Sequence, residues 1–334
     1  MLGSNTDQKI LTTGALLTLI IMGGIIWNLK SPQSKHLIIS TTTSLYETGV
    51  LGDIKEMFEA KYPGITISFI SKGTGLAIET AVNGDVDMIL VHSPSQEQGF
   101  LESGYGVNRK IFAYNYFLLV GPPGDPAGIK DMDLKTGLNK LHVMGRSGNA
   151  SWVSRGDNSG THSKEKNLWQ STGLDLDVIK AETWGDSSRP WYIEAGGGMT
   201  ATLQVANEKE AYTLTDAATY LKNYLEGNIQ LEVIIGQGEE TLNVYSAILC
   251  NPEKTPRGMY DEALIFMQYL LGEEMQEFLL DYGVEEYGVA LFNPWVPELE
   301  APSTLIVQWV REYSYIDGSE CPEEYRYHPG DLYN

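Results

Sequence analysis

From His36 onward, short apolar runs alternate with amphipathic stretches. Leu37–Ser40, Ile65–Ile70 and Val86–Val91 read as strands, with helices over Gly49–Tyr62 and Gly75–Val82 between them. Unbroken apolar runs of strand length, separated by amphipathic helices, predict a buried parallel sheet with helices on both faces. Ile111–Val120 is a longer, aromatic-rich strand. It ends in the breaker cluster Gly121-Pro122-Pro123-Gly124-Asp125-Pro126, which reads as a hinge or lobe boundary.

A second series follows. Ser151–Ser154, Ala211–Leu214, Leu231–Ile235 and Val244–Leu249 read as strands, and Gly160–Ser171, Met199–Asn207 and Asp216–Leu225 as helices. The helices expected over Gly258–Leu271 and Glu273–Tyr282 match elements of the first series. The pattern predicts an α/β protein of two lobes with a ligand cleft between them. Residues 1–36 form an N-terminal anchor or signal and tether, 37–118 plus 245–334 one lobe, and 119–244 the other. The apolar stretch Leu305–Val310, in a tail running from Ala301 to Asn334, reads as a packing helix.

Composition narrows the function. With 334 residues, 42% of them hydrophobic, the chain is long enough for two globular lobes. A formal net charge of −21 excludes a nucleic-acid partner, because phosphate backbones need a basic face. An anion site in such a chain must be local, desolvated and built mainly from oriented dipoles. Two cysteines, Cys250 and Cys321, make neither a zinc cluster nor a disulfide framework, and whether they pair is left open. Ile10–Leu29 is uncharged and mostly apolar, close to the roughly 20 residues of a membrane-spanning helix. It is read as an uncleaved anchor rather than a cleaved signal. The flanking Lys30 and Lys35 would place the folded part in the cytoplasm by charge alone.

The candidate chemistry is hydroxyl-rich. Ser40-Thr41-Thr42-Thr43-Ser44-Leu45 follows a strand and opens onto the helix expected from Gly49, so N–H groups, hydroxyls and the helix dipole converge there. Ser154-Arg155-Gly156-Asp157-Asn158-Ser159-Gly160-Thr161-His162 repeats that layout. Asn158 or Ser159 can cap the helix, leaving Gly160, Thr161 and the forked Arg155 guanidinium to face a tetrahedral anion. Thr74, between Gly73 and Gly75, adds a donor at another helix start. Thr215 either caps the next helix or faces the ligand. The Gly196-Gly197-Gly198 run lacks the lysine of a nucleotide P-loop and reads as cleft wall or hinge, while His92 and His162 read as structural. Ser159 with His162 and Asp157, or Ser44, would serve an anchored hydrolase, but no nucleophile elbow is present. A cytoplasm-facing ligand sensor is a further alternative, although no DNA-binding or signalling segment accompanies it.

Five separated motifs resemble the solute-binding proteins of tungstate ABC-type uptake systems. They are Ser-Thr-Thr-Thr-Ser at 40–44, Ser-Arg-Gly-Asp-x-Ser-Gly-Thr-His at 154–162, Trp191 to Met199, Ala211 to Asp216, and Tyr282 to Gly288. The resemblance is colinear over about residues 37 to 295. It implies a periplasmic-binding-protein fold of type II that captures tungstate outside the cytoplasm and passes it to an ABC permease. Thr42, Thr43, Ser44 and Thr74 would bind the oxyanion from one lobe, and Arg155, Ser159, Gly160, Thr161 and Thr215 from the other. No cofactor, no metal site and no enzyme activity are expected, and the expected state is a monomer. Family members commonly carry an arginine after the Thr-Leu-Thr-Asp run, where this chain has Ala217. Molybdate, nearly equal in size and charge, is not separated from tungstate by the residues. A binding protein for molybdate, sulfate or phosphate is the main alternative, although sulfate is expected to be rejected as too small for rigidly placed donors and phosphate because a donor-only site offers its proton no acceptor.

Overall fold

The computed structural model of the protein describes residues 34–183, 189–255 and 257–333. The expected anchor, Ile10–Leu29, lies outside them. Among the described residues no helix is long and apolar enough to cross a membrane.

The first lobe is built on β1 (Lys35–Thr42), β2 (Ile65–Lys72) and β3 (Met88–Val91), with α1 (Thr43–Glu47), α2 (Val50–Lys61), α3 (Thr74–Val82) and α4 (Pro94–Glu102) between and after them. Strand β1 runs parallel to both β2 and β3. All four residues of β3 are buried, as a strand covered on both faces requires. Helix α2 buries Val50, Leu51, Ile54 and Phe58, the stripe of a 3.6-residue period.

The 16-residue strand β4 (Gly106–Gly121) then leaves this lobe. Its Gly106–Tyr116 half pairs antiparallel with β9 (Leu242–Cys250), and its Phe117–Gly121 half pairs with β7 (Thr213–Asp216) and β8 (Glu232–Ile235). The second lobe also holds α5 (Leu134–Arg146), β5 (Trp152–Ser154), α6 (Gly160–Ser171), α7 (Leu176–Ala181), β6 (Tyr192–Glu194), α8 (Met199–Glu208) and α9 (Ala217–Leu225). Its core packs Trp152, Trp169 and Trp191 edge to face, with centroid distances of 5.3 and 6.0 Å. After β9 the chain adds α10 (Tyr260–Leu271), α11 (Glu273–Asp281), α12 (Val284–Tyr287), β10 (Asn293–Pro294) and α13 (Leu305–Ser314) to the first lobe.

Two expectations are corrected. The sheet is mixed, in the order β10-β4-β9-β3-β1-β2, because the outgoing β4 and the returning β9 carry the chain in opposite directions and so pair antiparallel. The breaker cluster Gly121–Pro126 is not the boundary between the lobes. The strand passes from one set of partners to the other between Tyr116 and Phe117 without a break, and the cluster caps its far end. There Asp125 accepts from Tyr212 OH at 2.6 Å, and a Cβ on Gly121 would meet the Tyr212 ring at 2.4 Å.

The tail packs on the first lobe. Val307 and Val310 of α13 join Ile111, Val244 and Trp295 in one apolar cluster. Glu320 accepts from Ile111 N at 3.0 Å and Trp295 Nε1 at 3.2 Å, and pairs with Lys110. Cys250 and Cys321 are buried free thiols.

Candidate functional site

The hydroxyl run of the first lobe does not open onto the Gly49–Tyr62 helix. It caps a helix of its own, the five-residue α1, whose N-cap Thr42 accepts from Leu45 N at 3.3 Å. Gly49, at φ +85°, then turns the chain into α2. Thr74 starts α3 after Gly73, and its hydroxyl is fully buried. On the opposing lobe Ser159, rather than Asn158, caps α6, accepting from His162 N at 3.2 Å. That cap leaves the N–H groups of Gly160 and Thr161, in the first turn, outside the helical ladder.

The lobes meet around these helix starts. Arg155 Nη2 donates to Thr43 Oγ1 at 2.8 Å, and Gln96 Nε2 to Ser163 Oγ at 2.5 Å. A Cβ on Gly160 would lie 2.9 Å from the His92 ring, so α6 reaches that ring only because residue 160 has no side chain. Asp157 holds the arginine, accepting from Nε at 3.0 Å and Nη2 at 2.8 Å, and its other oxygen accepts from Ser159 N at 3.1 Å. The remaining nitrogen, Arg155 Nη1, is buried. Like Thr74 Oγ1 and Thr161 Oγ1, it has no hydrogen-bond partner among the described residues. Three buried donors with no protein acceptor, at one junction of two lobes, suit a ligand made only of acceptors.

His92 organises the first-lobe side. A chain of amides anchored on the Leu291 carbonyl fixes its tautomer. Asn115 Nδ2 donates to that carbonyl at 3.1 Å, Asn243 Nδ2 donates to Asn115 Oδ1 at 2.8 Å, and Asn243 Oδ1 therefore faces His92 Nδ1 at 2.8 Å. His92 thus carries its proton on Nδ1 and accepts at Nε2 from the Ser44 hydroxyl, 3.2 Å away. Burial, aided by the Arg155 charge, pushes the imidazole down to about 4, so it stays neutral. Ser44 therefore offers the cleft its backbone N–H, and its hydroxyl is committed to His92. Among the described residues no cluster of His, Cys, Asp or Glu could hold a metal ion.

Thr215 does not cap the following helix. Asp216 does, accepting from Thr219 N at 2.9 Å, while Thr215 Oγ1 donates to the Asp216 carbonyl at 3.1 Å. The glycine run 196–198 forms cleft wall. A Cβ on Gly198 would stand 3.4 Å from Glu47 Oε1, and Thr200 donates to Glu47 Oε2 at 3.2 Å. Glu47 and Asp216 are carboxyls coupled to Arg155 that sequence reasoning passed over. Burial raises both carboxyls above the usual carboxylate range, so the site is not composed of donors alone.

Known proteins carry the same architecture. A family model described as a PBP superfamily domain matches residues 28–274. A Haloferax volcanii protein described as a candidate anion-binding protein of an ABC transporter is 40% identical over 267 residues, spanning 78% of this chain and 72% of its own. The tungstate-binding protein TupA of Peptoclostridium acidaminophilum is 34% identical over 268 residues, 79% of this chain and 87% of that one. The solved structure of the tungstate-binding protein TupA from Desulfovibrio alaskensis superimposes with a TM-score of 0.64 at 36% identity, covering 78% of this chain and 99% of that one.

Proposed function

We propose that this chain, which belongs to the PBP superfamily and within it to the family of TupA tungstate-binding proteins, captures tungstate outside the cytoplasm and delivers it to an ABC-type permease. One observation carries the reading. Thr74 Oγ1 from one lobe, and Arg155 Nη1 and Thr161 Oγ1 from the other, are buried donors without an acceptor among the described residues. A tetrahedral dianion supplies acceptors in four directions and has no proton of its own to place. Each of its lost water contacts must be replaced, since a buried group left unpaired costs about 1–3 kcal/mol.

The ligand-contacting set in this reading is Thr43, Thr74, Arg155, Ser159, Gly160 and Thr161. Thr42 and Ser44 contribute through α1, and Thr215 supports from β7. Thr43 accepts from Arg155 and keeps its own hydroxyl proton for the anion. The uncharged run Ile10–Leu29 supports membrane anchoring, and the outer side is taken from the relatives' role as solute-binding proteins, against the charge of Lys30 and Lys35.

Elemental analysis of the purified protein, followed by calorimetric titration with tungstate and molybdate, tests the reading. The expected result is one oxyanion per chain, with sulfate and phosphate failing to displace tungstate at equal concentration. Displacement by either would overturn the assignment of ligand.

A further inference from the structure

Asp216 gives the cleft a group that a receptor built from donors does not need. It ends β7 and caps α9, and it is 0% exposed. Its Oδ1 accepts from Thr219 N and Thr219 Oγ1, both at 2.9 Å. Its Oδ2 is buried with no hydrogen-bond partner among the described residues.

The ionisable groups acting on Asp216 come from three other elements. They are Arg155 in the turn after β5, Glu47 at the end of α1 and Tyr245 in β9. Lys222 lies on the rim, reaching the Glu47 carbonyl at 3.4 Å, and His92 is neutral. Arg155 thus stands among Asp157, Asp216 and Glu47. With all three ionised, its charge is outweighed before a dianion arrives, and a doubly negative ligand would be repelled at close range. Burial already drives Asp216 toward its neutral form.

We propose that Asp216 is a further ligand-contacting residue, whose Oδ2 takes up one proton from solvent as the lobes close and donates it in a hydrogen bond to an oxyanion oxygen. This rests on the oxyanion reading above. One O–H bond forms on Oδ2, nothing leaves, and the closed site becomes one unit less negative. The two carboxyl oxygens divide the work: Oδ1 keeps the helix cap in either state, and only Oδ2 changes.

Titrating the full chain with sodium tungstate in buffers of different ionisation heat counts the protons. The expected result is uptake of about one proton per dianion, with Kd rising with pH by up to about tenfold per unit wherever unliganded Asp216 is ionised. Asp216→Asn keeps the cap through its amide oxygen and offers Nδ2–H to the ligand, so it should bind with no uptake and a flat pH profile. Glu47→Gln should retain the uptake. Tungstate binding by the wild type without proton uptake would overturn the proposal, whatever the variants do. So would uptake that survives Asp216→Asn and disappears in Glu47→Gln. Failure of the wild type to bind tungstate at any pH would instead remove the oxyanion reading and the proton coupling with it.

Discussion

The two faces of the cleft solve one problem with different materials. The first-lobe face is built mainly from hydroxyls, with the Glu47 carboxyl at the end of α1 beside them. Thr42, Thr43, Ser44 and Thr74 sit at helix starts, and the neutral His92, Asn243 and Asn115 hold the Ser44 side. The second-lobe face carries the guanidinium of Arg155, positioned by Asp157 on the same turn as the cap of α6. One face presents mainly hydroxyls, and the other brings a guanidinium to it. The charge is therefore shielded from solvent only when both faces are in place, which is when a desolvated ion–dipole contact is strongest.

The sharpest way to break this contrast is Arg155→Ala. It removes the guanidinium from the second face and should weaken tungstate binding by about 1.5–3 kcal/mol, roughly 10- to 150-fold. An unchanged dissociation constant in calorimetry would take Arg155 out of the site. Next comes Gly160→Ala. Its methyl would stand 2.9 Å from a His92 ring that is pinned by Asn243 and stacked on Tyr245 at 5.1 Å. The lobes could then close only with strain, costing about 1–2 kcal/mol of affinity while the melting temperature of the unliganded protein stays near wild type. Equal affinities for the two proteins would show that closure does not press α6 on His92.

The smallest effect concerns the scaffold under the charged face. Glu165 of α6 is buried and accepts from Trp152 Nε1 and Ser154 Oγ, each at 2.8 Å, and from Tyr192 OH at 2.5 Å. Burial lifts its carboxyl to about 7. The folded protein therefore holds this proton more tightly than the unfolded chain. That stability is fully present below the unfolded value of about 4.5 and is lost as pH rises through about 7. Glu165→Gln keeps an acceptor for the indole and phenol and offers its amide to Ser154. It should flatten the melting temperature between those pH values, and a decline as steep as wild type would contradict the assignment.

Much of this was legible in the residues. Gly160–Ser171 stands as read because a cap, a glycine and an amphipathic run agree at one place. The five-residue α1 was not, since so short a helix has no period to detect. The mixed sheet escaped because a buried antiparallel strand such as β9, with all nine residues covered, has the same apolar signature as a parallel one. The chain through Asn115, Asn243 and His92 joins residues 128 and 151 positions apart, a distance at which spacing carries no signal. Asp216 did carry one, as an aspartate three residues before a threonine at a strand-to-helix turn. The neighbouring Thr215 hydroxyl is the more obvious donor at the same turn.

Strand β4 runs through both lobes as one continuous strand, with β9 paired to it up to Tyr116, where its partners change. Opening such a molecule cannot be the swing of a loop. It has to bend or twist β4 itself, near the change of partners between Tyr116 and Phe117. A joint of that kind resists large excursions and returns to the same alignment each time, so an arriving ion meets a trap already set to its size.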